Sequence, residues 1–321
     1  MSHDADPAMP RVSAVIPAYR AEGTLGRAID SVLDQREMEV RIIVVVDGKF
    51  DRSAEIASSY SDPRIIVDEH ETNRGAAISR NDGLAVVATD FVMFLDADDF
   101  LEGPLLSGLV AAIGSSDADV AFGPMQILDE KQGQRRPRYV PDFASSEDIF
   151  RKWHLGGIYV SPCSVLWRTE FLRGIGGWDP EVTRNDDGEL VMRAILSGAR
   201  IAVTKDGCGI YVKHSSESLN SRTDNMASML KVNEKLIALR SQVVEPEVQR
   251  RVFAGHYLNV AWQCYLSRQD KLGDEALSRG RSMAPGSWGA PRYRVPLKLL
   301  GVKRTAKVVR MAKRLLGHAR G

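Results

Sequence analysis

Three carboxylates stand together where a long apolar run stops. Phe91, Val92, Met93, Phe94 and Leu95 lead straight into Asp96-Ala97-Asp98-Asp99. A cluster of oxygen donors suits a hard cation, Mg²⁺ or Mn²⁺, and the Asp-X-Asp alternation points Asp96 and Asp98 to one side of an extended chain. An ion held there could in turn hold a diphosphate. The same letters also describe an acidic turn capping a helix that starts near Pro104, and this stretch by itself supports both readings. Other polar groups stand at similar places. Tyr19 follows the apolar run Val12 to Ile16, and Asp47 follows Val40 to Val46. Asp186-Asp187 opens a segment of helical period, where acidic residues suit the helix N-terminus in any case. His214 follows a last short apolar run, and a lone histidine can be a metal ligand or a surface residue.

These groups require elements that bring them together. Val12 to Ile16, Val40 to Val46, Arg64 to Val67 and the run from Phe91 read as strands, the apolar ones buried on both faces. Between them the spacing predicts helices from about Thr24, over Arg52 to Tyr60 and over Arg74 to Ala88. Strands alternating with helices imply βαβ crossovers and a mainly parallel sheet. Tyr19, Asp47 and Asp96 then share one rim, at the carboxyl strand ends where open α/β sheets bind ligands. Further on, strands are expected at Val120 to Phe122, Met125 to Leu128, Cys163 to Trp167, Ile201 to Val203 and Gly209 to Val212. Helices are expected at Ser146 to Trp153 and Asp186 to Ser197, and Gly174 to Pro180 is rich in turn formers. After Asn225 the pattern is helical: Met226 to Val243, Pro246 to Ser267 and Asp270 to Met283, then a Pro/Gly linker and a last helix. The expected division is 1–224 as the α/β domain (nucleotide half about 11–100, acceptor half about 101–224), 225–283 as a helical region, and 284–321 as linker and basic amphipathic helix.

Composition sets limits. With 44% hydrophobic and 26% charged residues, the chain has the make-up of a globular protein with a sizeable core. Cys163, Cys208 and Cys264 are scattered and odd in number, which argues against a disulfide framework or a zinc site and fits a reducing compartment. Met1 to Pro10 lacks the apolar core of a signal peptide, and no stretch is long and apolar enough to span a bilayer, so a cytoplasmic protein is expected. The net charge is +1, yet from Ala276 to Gly321 there are twelve Lys and Arg and no acidic residue. On a helical wheel Lys303, Lys307, Arg310 and Arg314 share one face, and Thr305, Val308, Val309, Ala312, Leu315 and Leu316 the other. Such a helix can lie on an anionic membrane surface, here the inner face, or dock on the body. No nucleic-acid-binding module accompanies the charge.

Taken in order, the motifs resemble the family 2 glycosyltransferases of the GT-A fold, most of which invert the configuration of the transferred sugar. The resemblance runs from about Val12 to Ser218. It rests on Ile16-Pro17-Ala18-Tyr19, Asp47-Gly48 with Asp51, Asn73-Arg74-Gly75 with Arg80-Asn81, and Asp96-Ala97-Asp98-Asp99. It continues through Gly176-Gly177-Trp178-Asp179, Asp186-Asp187-Gly188-Glu189-Leu190 with Arg193, and Tyr211 with His214 and Ser218. The resemblance implies Asp98 as the direct ligand of Mn²⁺ or Mg²⁺, with Asp96 as a second ligand or ribose contact and His214 completing the metal or diphosphate site. It implies Pro17, Ala18, Tyr19, Asp47 and Arg80 around the nucleotide, with Arg74 either there or solvated. Asp187 becomes the general base, Asp186 its partner on the acceptor side, and Trp178 an aromatic acceptor platform. Three positions depart from the family pattern: Val46 and Lys49 stand where Asp-Asp-Gly-Ser has its first Asp and its Ser, and Asp186 replaces a Glu. The Gln-X-X-Arg-Trp signature of processive synthases is absent, which favours transfer of single sugars.

The expected activity is a metal-dependent inverting transfer of a hexose from a UDP-sugar to a hydroxyl of a glycan or lipid-linked acceptor, in cell-surface polysaccharide biosynthesis. Two other readings compete. One is a catalytically degenerate sugar-nucleotide-binding protein, encouraged by Val46 and Lys49. The other is a sugar-nucleotide pyrophosphorylase, which should carry a Gly-rich basic loop where this chain has Pro17-Ala18-Tyr19-Arg20.

Overall fold

A computed structural model describes residues 11–154, 161–214, 226–239, 241, 243–285 and 301–318. Contacts divide the chain into two compact units. The first comprises residues 1–145, 160–180 and 199–216, and the second 146–159, 181–198 and 217–321.

In the first unit, β1 (Arg11–Ala18), α1 (Leu25–Leu33), β2 (Glu39–Val46), α2 (Ser53–Ser59), β3 (Ile65–Glu69), α3 (Ala76–Val86) and β4 (Phe91–Phe94) alternate as the apolar runs require. β5 (Phe100–Glu102), α4 (Leu105–Ser116), β6 (Val120–Phe122), β7 (Met125–Asp129) and β8 (Gln134–Arg135) follow. β9 (Val165–Arg168), α6 (Thr169–Gly174), β10 (Ile201–Val203) and β11 (Cys208–Lys213) complete the unit. The main sheet has the order β10-β6-β9-β4-β1-β2-β3. It is parallel except for β9, which runs antiparallel to β4 and β6. Its core is aliphatic: Val12, Ala14 and Ile16 of β1, Ile42 and Val44 of β2, and Met93 of β4 pack with Leu25, Ile29 and Val32 of α1. Such strands, covered on both faces, are the reason their sequences read as unbroken apolar runs.

The register places the three polar strand ends on one rim. Ala18 is paired with Val46, and Val15 with Phe94. The Asp47 N–H donates to Ala18 O and the Leu95 N–H to Val15 O, which extends the ladders to the first residues of both acidic loops. A second sheet, β5-β11-β7-β8, has no counterpart in the pattern of long apolar runs, since β5 has three residues and β8 two. β5 leaves the Asp96 loop directly and pairs antiparallel with β11, and this carries His214, one residue past β11, back to the acidic cluster.

The second unit is helical: α5 (Ser146–His154), α7 (Asp186–Leu196), α8 (Met226–Ala238), α9 (Pro246–Leu266), α10 (Asp270–Met283) and α11 (Val302–His318). The expected boundary near residue 224 is therefore corrected. α5 and α7 belong with the C-terminal helices, and the Phe150 ring meets Phe253 of α9 edge-on at 5.6 Å.

The expected faces of the last helix are also corrected. Val302, Thr305 and Ala306 are buried, and Lys303 and Arg310 turn to the unit's own body. The Lys303 ammonium donates to both Asp274 oxygens at 2.9 and 2.7 Å, and Arg310 donates to Tyr265 O at 2.8 Å. Acidic residues of α10 thus take up part of the charge that the sequence assigned to an outward face. Among the described side chains of this helix, Arg304, Lys307, Val308 and Met311 are exposed. No described helix is long and apolar enough to cross a membrane. Ser218 of the last motif, the break at Leu155 to Gly157 and the linker from Gly286 to Pro296 lie outside the described residues.

Candidate active site

The Asp96 loop closes as a tight turn, with the Asp99 N–H donating to Asp96 O at 2.9 Å. This draws ligand oxygens of Asp96, Asp98 and Asp99 within 4.8 Å of one another. The three carboxylates then differ in what they meet. Asp99 is buried and already bonded, accepting from the Val212 N–H at 2.8 Å and the Ser161 hydroxyl at 3.3 Å. Burial and the neighbouring Asp96 and Asp98 charges push its pKa well up. Asp99 therefore ties the loop to β11 through the Val212 N–H.

Asp98 remains half open. Burial and then the Asp96 charge raise its pKa, against the opposing pull of His214. His214 Nε2 lies 3.0 Å from Asp98 Oδ2, and its Nδ1 lies 2.6 Å from Glu130 Oε2. The loop's own path is fixed by Arg27, whose guanidinium donates to Asp98 O at 2.9 Å and lies 4.7 Å from the Phe100 ring centroid. A crowded carboxylate pair with an imidazole beside it is a donor set that a divalent cation relieves electrostatically, and hard oxygen plus imidazole is a fitting set for Mn²⁺. The residues present fit the ion.

Arg80 departs from the expected nucleotide contact. It is 5% exposed, donates to Asp96 Oδ1 at 2.7 Å, and its guanidinium lies 4.2 Å from the Trp178 ring centroid. α3 can bring it there because Gly83 has no side chain to strike Val15 and Val45. Arg80 thus sets Asp96 from beneath. Trp178 is corrected too: at 2% exposed, edge-on to Phe94 at 5.2 Å, it is core and not an open platform. The Gly-Gly turn before it places its backbone between the two hydrogen bonds of the Asn81 side-chain amide, at 2.7 and 2.9 Å.

Asp47 is 3% exposed and holds the segment before α3. It accepts from the Arg74 N–H at 2.7 Å and the Gly75 N–H at 2.9 Å, and meets His70 Nδ1 at 3.0 Å. Burial alone would raise its pKa, but these hydrogen bonds hold it below the ordinary value. His70 Nε2 lies 3.0 Å from Asp82 Oδ2, which also accepts from Arg74 at 2.7 Å. Arg74 is therefore engaged at a surface pair. Beside Asp47, Asp51 accepts from the Glu22 and Ser53 N–H groups and joins the loops after β1 and β2. Pro17 and Ala18 end β1, and Tyr19 stands 47% exposed just beyond.

Asp186 and Asp187 lie in the second unit, in the first turn of α7, both partly exposed. Two residues on, Glu189 is buried in a forked pair with Arg193 at 2.7 and 2.9 Å. Glu130, Arg27 and His70 were not legible in the sequence. None of them has a spacing signal, because each acts through a contact made by the fold.

The family model described as "Glycosyl transferase family 2" matches residues 13–173. The chain belongs to glycosyl transferase family 2. It therefore joins the glycosyltransferases as a class of enzyme. Among curated relatives, glycosyltransferase GlyA of Streptococcus pneumoniae is 34% identical over 125 residues, covering 38% of this chain and 18% of GlyA. The succinoglycan biosynthesis protein ExoO of Rhizobium meliloti is 26% identical over 242 residues, covering 71% of this chain and 68% of ExoO. In fold, the chain resembles S. aureus TarS 1-349 in complex with UDP-GlcNAc: TM-score 0.72, 20% identity, covering 96% of this chain and 92% of TarS 1-349. The mannosyltransferase PcManGT of Pyrobaculum calidifontis, solved with GDP-Man and Mn²⁺, matches with TM-score 0.59 at 15% identity over 97% of this chain and 90% of PcManGT. The fold is GT-A, as the motif order implied.

Proposed function

We propose that this glycosyltransferase moves a hexose from a UDP-sugar to a hydroxyl of a glycan or lipid-linked acceptor, with inversion, in the assembly of a cell-surface polysaccharide. The observation that carries the reading is the crowded Asp96–Asp98 pair with His214 beside it, on the rim shared with Tyr19 and Asp47. UDP-GlcNAc in TarS, Mn²⁺ in PcManGT and the name of ExoO support the donor, the metal and the polysaccharide role respectively.

In this reading Asp98, Asp96 and His214 hold Mn²⁺ or Mg²⁺, and Arg80 keeps Asp96 in place. The ion, when bound, neutralises charge that develops on the departing diphosphate. Tyr19 lies against the base, Pro17 and Ala18 offer backbone contacts, and Asp47 shapes the base pocket through the residues before α3. Asp187 takes the proton from the acceptor hydroxyl as that oxygen attacks the anomeric carbon opposite the diphosphate, which inverts the centre. Asp186 stands beside it on the acceptor side. Arg304 and Lys307, with Val308 and Met311, give α11 an outward face that combines charge and apolar area, suited to an anionic membrane carrying a lipid-linked acceptor. Screening nucleotide sugars for Mn²⁺-dependent hydrolysis without acceptor identifies the donor. Asp187→Asn should then lose acceptor transfer by about 10²- to 10⁴-fold. Full transfer by that variant, or no hydrolysis of any nucleotide sugar by the wild type, would defeat the reading.

A further inference from the structure

Phe50 is half exposed, at 50%, and stands next to Tyr19 in the loops that follow β2 and β1. The two rings meet edge to face, with centroids 5.4 Å apart and planes at 78°. The Arg20 guanidinium carbon lies 5.4 Å from each ring centroid. Neither ring belongs to the packed core of the unit.

This exposed group is held in place. Gly48, with φ +99°, lies against the Phe50 ring, and a Cβ there would come within 2.5 Å of Phe50 Cε2. The ring therefore rests on a position that only glycine fits. Arg20 itself has φ 51°, a left-handed conformation that non-glycine residues rarely adopt. The chain thus accepts backbone strain after β1 and a glycine after β2, and what results is two solvent-facing rings and a guanidinium. Packing does not explain this. Aromatic faces with a guanidinium over them form a stacking surface for a flat ring.

We propose that Phe50 is the second ring of a nucleobase clamp formed with Tyr19 and Arg20. The clamp grips the base by stacking and does not read its edge. The proposal rests on the reading that the donor is a nucleoside diphosphate sugar. Because every base has a π face, stacking tolerates base identity. Asp47, which the family resemblance sets around the nucleotide, is buried and already bonded to Arg74, Gly75 and His70.

The test is calorimetric titration of the full chain with UDP, GDP and inorganic pyrophosphate, each in Mn²⁺, for wild type, Phe50→Ala and Phe50→Trp. Phe50→Ala should weaken UDP and GDP alike by about tenfold, the loss of one stacked base. Pyrophosphate binding and the melting temperature should not change, and Phe50→Trp should restore the nucleotide affinity. Unchanged UDP affinity in Phe50→Ala overturns the clamp. So does an equal loss for pyrophosphate, which would place the effect at the phosphates, and so does a loss confined to one base. A wild-type protein that binds pyrophosphate but no nucleotide defeats the clamp and the donor reading together, whereas nucleotide binding insensitive to Phe50 defeats the clamp alone.

Discussion

Asp47 and Asp98 stand on the same rim, one strand apart, and the fold treats them in opposite ways. Asp47 collects hydrogen bonds from two backbone N–H groups and a histidine, so its charge is paid for inside the protein. Asp98 is crowded by Asp96 and faces a histidine, His214, that it shares with Glu130. The pKa of the first is lowered and that of the second raised. A carboxylate with internal donors builds a pocket; one crowded by like charge keeps its affinity for something that arrives from outside. The residue type is the same, and the neighbours decide.

The largest expected effect separates the two by activity. Asp98→Asn should lower transfer by about 10³-fold or more, the scale of losing a positioned electrostatic stabiliser. Its melting temperature in the absence of metal should be no lower than the wild type's, because one of two repelling charges has gone. A variant that unfolds more easily and keeps its rate would reverse the comparison.

Asp47→Ala should act chiefly through stability. It leaves the Arg74 and Gly75 N–H groups and His70 without their acceptor, a cost of about 1–3 kcal/mol for orphaned buried groups. Denaturant melting measures the loss. A marginal change would mean that water replaces the carboxylate without penalty.

The pH dependence of stability should show both signs. Asp98 and Asp99 have raised folded pKa values, so as pH falls from neutral they take up protons more readily folded than unfolded, and stability rises. Asp47 has a lowered folded pKa, so its contribution is present above the unfolded value of 3.8 and is lost as pH falls below it. In Asp98→Asn the gain on the way down should shrink while the loss at low pH persists. Melting temperatures across that range give both slopes, and an unaltered profile would count against the crowding at Asp98.

The second unit offers the most independent check. His256 is buried against Asn233, and burial lowers its pKa to about 4, well below the ordinary imidazole value. The unfolded chain therefore binds a proton that the folded one refuses, and stability should fall by about 3 kcal/mol as pH drops through this window. His256→Asn should flatten that slope.

Much of the rim was legible. The apolar runs of β1, β2 and β4 end where polar side chains begin, and parallel pairing leaves few ways to arrange them. The pairing of His214 with the acidic cluster followed only from the ordered motifs, because β5 is three residues long and leaves no periodicity to read. α6, with six residues, was hidden for the same reason. Trp178 was misjudged because the two glycines before it describe a turn but not the side to which the ring folds. Phe50 and His70 left no mark at all, since a lone aromatic and a lone histidine gain meaning only from Tyr19, Gly48 and Asp47. The ion pairs of the last helix were not legible, because Asp270 and Asp274 lie far from Lys303 in sequence and close in space.

Calorimetric titration of UDP into wild type and Asp98→Asn, each with and without Mn²⁺, tests the central claim most directly. Wild type should bind UDP far more tightly with the ion present, and Asp98→Asn should show the same weak binding in both conditions. Equal Mn²⁺ enhancement in the two proteins would show that the acidic cluster after β4 does not hold the cation.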